Sequence, residues 1–134
     1  DRVLDERVSR ALVHMLESVV TPAGTGMRAA IPGYRVAGKT GTAWKSNAGG
    51  YSTDRYMAVF GGVAPATHPR LASVVIIDEP GAGQYYGGDV AAPVFSRVVG
   101  GALRLMAVAP DAAIGAPDGA PPTPAPARQQ VALR

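Results

Sequence analysis

Residues 33–42 are the part of this sequence whose residue types and spacing could do chemistry, and two kinds of chemistry fit them. Residues 33–40 satisfy the pattern G-x-x-x-x-G-K-[ST], in which a glycine-rich loop cradles phosphate groups. Lys39-Thr40-Gly41 is also the K-T-G triplet found in serine acyl-transferases. The first pattern would indicate a nucleotide hydrolase, whereas the second would indicate one wall of an acyl-transfer site.

The residues on either side of Lys39 favour the acyl-transfer interpretation. A phosphate-binding loop opens a helix, whose amide groups and dipole hold the phosphates. The thirteen residues after Lys39 contain three glycines, and each glycine in a helix interior costs about 1 kcal/mol relative to alanine. Residues around Lys39 instead alternate with the period of two that is typical of a strand. We therefore expect Lys39 to lie on a strand, with a P-loop nucleotide-binding module as the disfavoured alternative.

Composition limits the remaining functions. The chain has 134 residues and a formal charge of +3, and its basic residues are scattered singly, so no nucleic-acid partner is expected. It has no cysteine and two isolated histidines, His14 and His68, so the sequence predicts neither a metal site nor a cofactor. The most apolar stretch, residues 90–108, is interrupted by Arg97 and Arg104 and is too short to span a membrane.

The hydrophobic pattern predicts an α/β fold of the α+β type, with an antiparallel sheet between an N-terminal and a C-terminal helix. Apolar residues at helical spacing predict the helices at residues 4–19 and 92–106. Strands are expected around Lys39 and at residues 56–63 and 71–77, with a loop at residues 46–54. The third strand is an uninterrupted apolar run, so it is expected to be central and buried on both faces.

The last 25 residues are expected to form a disordered tail. Residues 110–134 hold six of the twelve prolines, and such a segment cannot bury enough apolar surface to offset its ordering entropy. The predicted folded part is therefore residues 1–109. Because a helical pattern starts almost at residue 1, without an initiator methionine, we expect the chain to be a fragment of a longer protein.

Four ordered blocks of the sequence resemble the C-terminal end of the class B penicillin-binding proteins, and most of all the division-specific, septal transpeptidases. The blocks are V-A-G-K-T-G-T-A from residue 36, Y-x-A-x-F-x-G-x-A-P from residue 56, I-I-D-E-P from residue 76 and Y-Y-G-G-x-x-A-A-P-V-F from residue 85. The triplet K-T-G alone is a weak motif, but four blocks in this order are specific. The resemblance covers residues 1–109 and implies part of the penicillin-binding, serine β-lactamase-like transpeptidase fold.

The resemblance implies peptidoglycan cross-linking by a D,D-transpeptidase. In this reaction a serine attacks the penultimate D-Ala of a stem peptide, D-Ala leaves, and an amine of a neighbouring strand accepts the acyl group. β-Lactam antibiotics acylate the same serine, through chemistry that needs an activated nucleophile and an oxyanion hole. The resemblance also implies divisome proteins as partners and a location at the periplasmic face of the bacterial inner membrane, with the anchor outside these residues.

Two motifs of the family are missing from these residues. None of the six serines has a lysine three positions later, so the nucleophile motif S-x-x-K is absent. No serine has an asparagine two positions later, so S-x-N is absent as well. Both motifs precede the K-T-G strand in the family, and the chain is therefore expected to need the rest of the same transpeptidase and to be inactive alone.

The K-T-G block implies the catalytic and substrate-binding residues. Lys39 would place a positive charge beside the nucleophile and attract the terminal carboxylate of the substrate. Thr40 and Thr42 would donate hydroxyl hydrogen bonds to that carboxylate, and the backbone N–H of Thr42 would form half of the oxyanion hole. Gly41 would let the substrate backbone lie against the strand as an added β-pairing partner.

Aromatic residues are the other predicted contacts of the substrate. In septal enzymes of this type, aromatics in the matching blocks form an apolar wall, which implies that role for Tyr56, Tyr85 and Tyr86. Trp44 either rims the cleft or points outward. A penicillin-sensing receptor domain would share the K-T-G wall and stays as an alternative, although the Y-Y-G-G block and the proline-rich tail favour the biosynthetic enzyme.

Overall fold

Three antiparallel strands carry the K-T-G segment in the computed structural model, which describes residues 2–47, 50–81 and 83–112. The strands are β1 (Ala37–Asn47), β2 (Gly50–Ala64) and β3 (Leu71–Asp78), and they lie in the order β1-β2-β3. The antiparallel arrangement is confirmed. Lys39 lies inside β1 and is followed by strand rather than helix, so the P-loop interpretation is wrong.

The pairing of β1 with β2 determines which face each residue of the K-T-G segment occupies. Thr40 is opposite Phe60 and Thr42 is opposite Ala58. Directly opposite residues share a face of the sheet, and successive residues alternate between faces. Thr40 and Thr42 therefore lie on the core face, while Lys39 and Gly41 belong to the other.

The β1–β2 hairpin is longer than the sequence pattern predicts. The expected loop at residues 46–54 is wrong in large part, because β1 continues to Asn47 and β2 begins at Gly50. The pairing register shifts between Trp44 and Ser46. β-Branched and aromatic residue types at positions 51, 53 and 56 favour a strand, and this preference outweighs the turn tendency of the glycines.

Two longer helices flank the sheet in the chain order that the pattern predicts. Helix α1 (Glu6–Glu17) begins after Asp5, whose side chain accepts a hydrogen bond of 2.8 Å from the backbone N–H of Arg7. A four-residue helix, α2 (Gly87–Val90), was not predicted, and it precedes α3 (Ala92–Leu105). Among the described residues, no helix has the length and apolar character needed to cross a bilayer.

The core lies between the sheet and α3. Phe60 of β2 and Phe95 of α3 are both fully buried, and their rings meet edge-on with centroids 4.9 Å apart. This geometry is favourable for an aromatic pair. Leu103, about two turns further along the same face of α3, is fully buried as well. The core thereby fixes β2, and through it the neighbouring β1, against α3.

One prediction about the sheet is wrong. The third strand was expected to be central and buried on both faces, but β3 is an edge strand among the described strands. Its residues alternate between half-buried and exposed, with Val74 at 66% and Ile76 at 57% exposure. The apolar run reflects residues on both faces, yet only the face toward α3 is covered within the described part of the chain.

The C-terminal end of helix α1 is bound to Arg35, two residues before β1. Glu17 accepts two hydrogen bonds from the guanidinium group of Arg35, at 2.7 and 2.8 Å. This bidentate contact raises the pKa of Arg35 above its usual value. No residue of α1 is buried among the described residues, and its apolar side chains, such as Leu12 and Met15, are exposed.

Residues after α3 return to the folded part. The carboxylate of Asp111 accepts hydrogen bonds from the backbone N–H of Arg35 (2.7 Å) and from both the backbone N–H and the hydroxyl of Thr67 (3.1 and 2.8 Å). The backbone N–H of Ala112 donates to the carbonyl of Gly33. Residues 110–112 therefore belong with the folded part, whereas the remainder of the predicted tail, residues 113–134, lies outside the described residues.

Asp111 is expected to contribute measurably to stability. Replacing Asp111 by Ala leaves three donors without their acceptor, and we expect a loss of about 1–3 kcal/mol in the free energy of unfolding. Deleting residues 113–134 is the control, and it should leave the melting temperature unchanged because that composition favours disorder. Thermal unfolding of the parent chain, the Asp111→Ala variant and the deletion variant measures both effects. An unchanged melting temperature for Asp111→Ala would contradict the prediction.

Candidate active site

A cleft of about 260 Å³ lies at the junction of β1, the loop before it and α2. Three of the residues predicted for the site, Thr40, Thr42 and Tyr86, come together there. The other residues that line it were not predicted from the sequence: Thr25, Gly87, Gly88 and Asp89. The cleft is thus bounded by three chain segments that are distant in sequence.

Lys39 belongs to the other face of β1 and is not among the residues that line the cleft. Its ammonium group donates to the carbonyl of Thr40 at 3.0 Å and lies 3.4 Å from the Thr40 hydroxyl. Within residues 2–47, 50–81 and 83–112, the ion pairs include Lys45 with Asp78 and Glu79 but none with Lys39. The charge of Lys39 is therefore solvated and available, whereas the charge of Lys45 is already neutralised.

The hydroxyl groups of both threonines are held by neighbours across the cleft. Thr25 Oγ1 lies 3.0 Å from Thr40 Oγ1, and either atom can be the donor. The backbone N–H of Gly87 donates to Thr42 Oγ1 at 3.2 Å. Because this contact uses Thr42 Oγ1 as an acceptor, its own hydroxyl proton stays free to donate to a ligand oxygen.

The two glycines of the motif differ in what packing requires of them. A Cβ atom added to Gly38 would lie 2.5 Å from the Phe60 ring and 2.7 Å from the carbonyl of Gly61, so the core needs glycine there. A Cβ atom added to Gly41 would lie 3.5 Å from the nearest described atom, in Val59, which is an ordinary contact. Packing within the described residues therefore leaves Gly41 unexplained.

The three tyrosines predicted as the aromatic wall lie in contact, the first pair stacked and the second tilted by 38°. Tyr56 and Tyr85 are stacked with centroids 4.1 Å apart, and the rings of Tyr85 and Tyr86 are 4.6 Å apart. The Tyr85 hydroxyl donates to the Tyr86 hydroxyl at 3.4 Å, which raises the pKa of Tyr85. Only Tyr86 of the three lines the cleft, while Tyr85 contacts Tyr86 and Tyr56 contacts Tyr85.

Trp44 lies on the same face of β1 as the two threonines, because it is opposite Tyr56 in the register. Its side chain is 58% exposed, and it is not among the residues that line the cleft. Trp44 is therefore on the cleft side of the sheet without lining the cleft, and its role stays a prediction.

Residues 1–100 match the family model of the penicillin-binding protein transpeptidase domain. The match includes β1 with Lys39, the α2 segment and the cleft between them. The chain belongs to this transpeptidase family. In this chain, the K-T-G strand and the Y-Y-G-G segment are neighbours in space, because the backbone N–H of Gly87 donates to the Thr42 hydroxyl.

Relatives of this transpeptidase-family chain include proteins named as peptidoglycan D,D-transpeptidases. It is 54% identical over 112 residues to the peptidoglycan D,D-transpeptidase FtsI of Escherichia coli K12, covering 84% of the chain and 19% of the relative. It is 43% identical over 110 residues to the probable peptidoglycan D,D-transpeptidase PbpC of Pseudomonas aeruginosa, covering 82% and 20%. The chain thus spans about one fifth of the length of these relatives.

A solved structure of the same family has a similar fold. The transpeptidase domain of penicillin-binding protein 3 from Burkholderia pseudomallei, in its apo form, superposes with a TM-score of 0.76 at 47% identity. The match covers 84% of this chain and 34% of that domain. The transpeptidase fold expected from the sequence is confirmed.

Thr25 is the one of the four unpredicted cleft residues in this transpeptidase-family chain whose hydroxyl meets the K-T-G strand. Its approach to the cleft depends on the glycines beside it, since a Cβ atom at Gly26 would lie 2.8 Å from the Phe60 ring. A Cβ atom at Gly88 would lie 2.1 Å from the carbonyl of Thr25. The triplet Gly24-Thr25-Gly26 was the available signal, but spacing alone does not predict which surface such a loop contacts.

Proposed function

We propose that this chain is the K-T-G side of the acyl-transfer site in a longer septal peptidoglycan D,D-transpeptidase. The observation that carries the proposal is the position of Thr40 and Thr42, which line a cleft beside β1, whose only partner among the described strands is β2. The names of the relatives at 43–54% identity support the reaction. The rest of the chain would supply the S-x-x-K serine and the S-x-N motif.

The reaction proceeds through an acyl-enzyme. The serine Oγ forms a bond to the carbonyl carbon of the penultimate D-Ala, and its proton passes through the basic groups of the site to the departing D-Ala amine as the peptide bond breaks. An amine of a second stem peptide then attacks the ester, the serine recovers its proton, and a cross-link is formed. A β-lactam follows only the first half of this path, because its leaving group remains attached.

Lys39 and the threonine hydroxyls would recognise the carboxylate of the donor peptide. The ammonium of Lys39 lies beside Thr40 without a carboxylate partner among the described residues, and the Thr42 hydroxyl proton is free. Charge-assisted hydrogen bonds of this type are stronger than neutral ones. The same groups would bind the carboxylate of a β-lactam.

The edge of β1 that has no partner among the described strands would bind the peptide backbone and polarise its carbonyl group. An extended peptide can add to such an edge through main-chain hydrogen bonds, and Gly41, which packing does not require, would leave room for it. The backbone N–H of Thr42 would donate to the developing oxyanion, a contact that is typically worth about 3–4 kcal/mol in the transition state. Tyr86, supported by Tyr85 and Tyr56, would form the apolar wall.

The proposed function also implies a cellular location and a set of partners. A septal transpeptidase would act on peptidoglycan stem peptides at the periplasmic face of the inner membrane, in contact with divisome proteins. β-Lactam antibiotics would be its inhibitors. The motif resemblance supports the divisome partners and the location, and the names of the relatives support a peptidoglycan D,D-transpeptidase.

Labelling with a fluorescent penicillin tests the proposal. The 134-residue chain alone is expected to form no covalent adduct, because none of its serines belongs to an S-x-x-K motif. The complete transpeptidase is expected to be labelled and to release D-Ala from a stem-peptide donor. Labelling of a serine in the isolated chain would contradict the proposed division of the site, and a complete protein that is labelled but releases no D-Ala would be a receptor.

A further inference from the structure

Arg28 contacts α2 at the carbonyl group of Asp89, to which residue 93 could not donate in a helical ladder. In a continuous helix, the carbonyl of Asp89 would accept from the N–H of residue 93. Residue 93 is a proline and has no N–H. The guanidinium group of Arg28 donates to the Asp89 carbonyl instead, at 3.1 Å, and lies 3.6 Å from the Asp89 carboxylate.

The loop that carries Arg28 also touches the K-T-G strand. Thr25, three residues earlier, lies 3.0 Å from the Thr40 hydroxyl through its own hydroxyl. Its carbonyl abuts Gly88, where even a methyl group would lie 2.1 Å away. The loop therefore bridges β1 and α2, and Arg28 is its charged contact with α2.

The position of α2 determines two walls of the cleft. Gly87, its first residue, donates to the Thr42 hydroxyl. Tyr86, which immediately precedes α2, is the aromatic residue that lines the cleft. A displacement of α2 away from the loop would therefore move both the Thr42 contact and the aromatic wall.

We propose that Arg28 is a positioning residue, which holds α2 against the Thr25 loop and so sets the width of the cleft for the ligand. The proposal rests on the proposed function for its effect on ligands, but not for its effect on α2. Arg28 and Asp89 are half-exposed, so the ion pair itself contributes little. The hydrogen bond to the Asp89 carbonyl is the contact that matters, because no backbone donor can replace it at Pro93.

The first experiment measures the position of α2 directly. Amide hydrogen exchange of residues 87–91 is compared in the complete transpeptidase and its Arg28→Met and Arg28→Lys variants. Removing the donor is expected to speed exchange of these amides by about three- to tenfold, whereas Arg28→Lys, which retains a donor, should restore at least half of the protection. Arg10→Met is the matched control, since Arg10 pairs with Glu6 on α1, away from the cleft.

The second experiment measures the effect on the ligand in the same variants. The dissociation constant of the first complex with a small β-lactam is expected to rise about three- to tenfold in Arg28→Met, while the acylation rate constant of the bound complex changes much less. Unchanged exchange at residues 87–91, or equal effects of Arg28→Met and Arg28→Lys, would overturn the proposal. Absence of any acylation in the parent would instead count against the proposed function, with the exchange measurement still deciding the role of Arg28.

Discussion

Replacing Lys39 by Ala in the complete transpeptidase is expected to slow acylation by β-lactams by about two to three orders of magnitude. The side chain is exposed, and within the described residues it hydrogen-bonds only with Thr40 of its own strand, so its loss should leave the fold intact. What is lost is a charge beside the reacting groups, which stabilises the transition state more than the free enzyme. The second-order rate constant for labelling by fluorescent penicillin measures the effect.

Two comparisons make this result specific to Lys39. Lys45→Ala removes a lysine from the same strand, but one whose charge is already paired with Asp78 and Glu79, so acylation should proceed at nearly the parental rate. Thr42→Val removes a hydroxyl and keeps the backbone N–H, which should cost about 1.5–3 kcal/mol, the range for a hydrogen bond to a charged group. Parental acylation by Lys39→Ala together with slow acylation by Thr42→Val would make Lys39 an ordinary solvated strand residue.

Local patterns in the sequence predicted β1, which carries part of the site, and α3, which packs behind the sheet. The period of two around Lys39 indicated a strand, and β1 is that strand. The helical spacing from Val94 to Met106, with Pro93 before it, indicated α3 within one residue of its end. Such patterns succeed because alternation and helical spacing express which side of an element is buried.

The predictions that failed depend on which elements pack against each other, and not on the local pattern of one element. An apolar run shows that β3 has two hydrophobic faces, but not which strands or helices cover them, and Val74 and Ile76 are exposed in the described chain. Likewise, α2 is only four residues long and begins at Gly87 and Gly88, so no periodicity could indicate it. It forms where the loop of Arg28 and the strand of Thr42 supply its contacts.

The site residues likewise include some that motifs predict and one that depends on tertiary packing. The motif predicted Thr40, Thr42 and Tyr86, and the structure brings these three together, although their roles toward a substrate stay predictions. Thr25 could not be found in this way, because its contact with Thr40 depends on how closely Gly26 approaches Phe60. Close approach of two distant segments is a property of tertiary packing, and a single sequence does not display it.

Alanine substitutions at Gly38 and Gly41, the two glycines of the motif, are expected to affect stability and catalysis differently. Gly38→Ala would place a methyl group 2.5 Å from the fully buried Phe60 ring, and such overpacking should cost about 1–3 kcal/mol of the free energy of unfolding. Gly41→Ala meets no described atom closer than 3.5 Å, so the melting temperature should be unchanged or slightly higher. Thermal unfolding of the two variants in the complete transpeptidase measures this difference.

The Gly41→Ala substitution is expected to slow acylation, although it should not lower stability. Because β1 has an unpaired edge among the described strands, a ligand lying against it would meet the new methyl group on the Lys39 face. A misplacement of this size should slow acylation about ten- to a hundredfold, without a loss of stability to account for it. A Gly41→Ala variant that is acylated at the parental rate would show that the ligand does not approach this part of β1, and the proposed pairing of the substrate with the strand would be wrong.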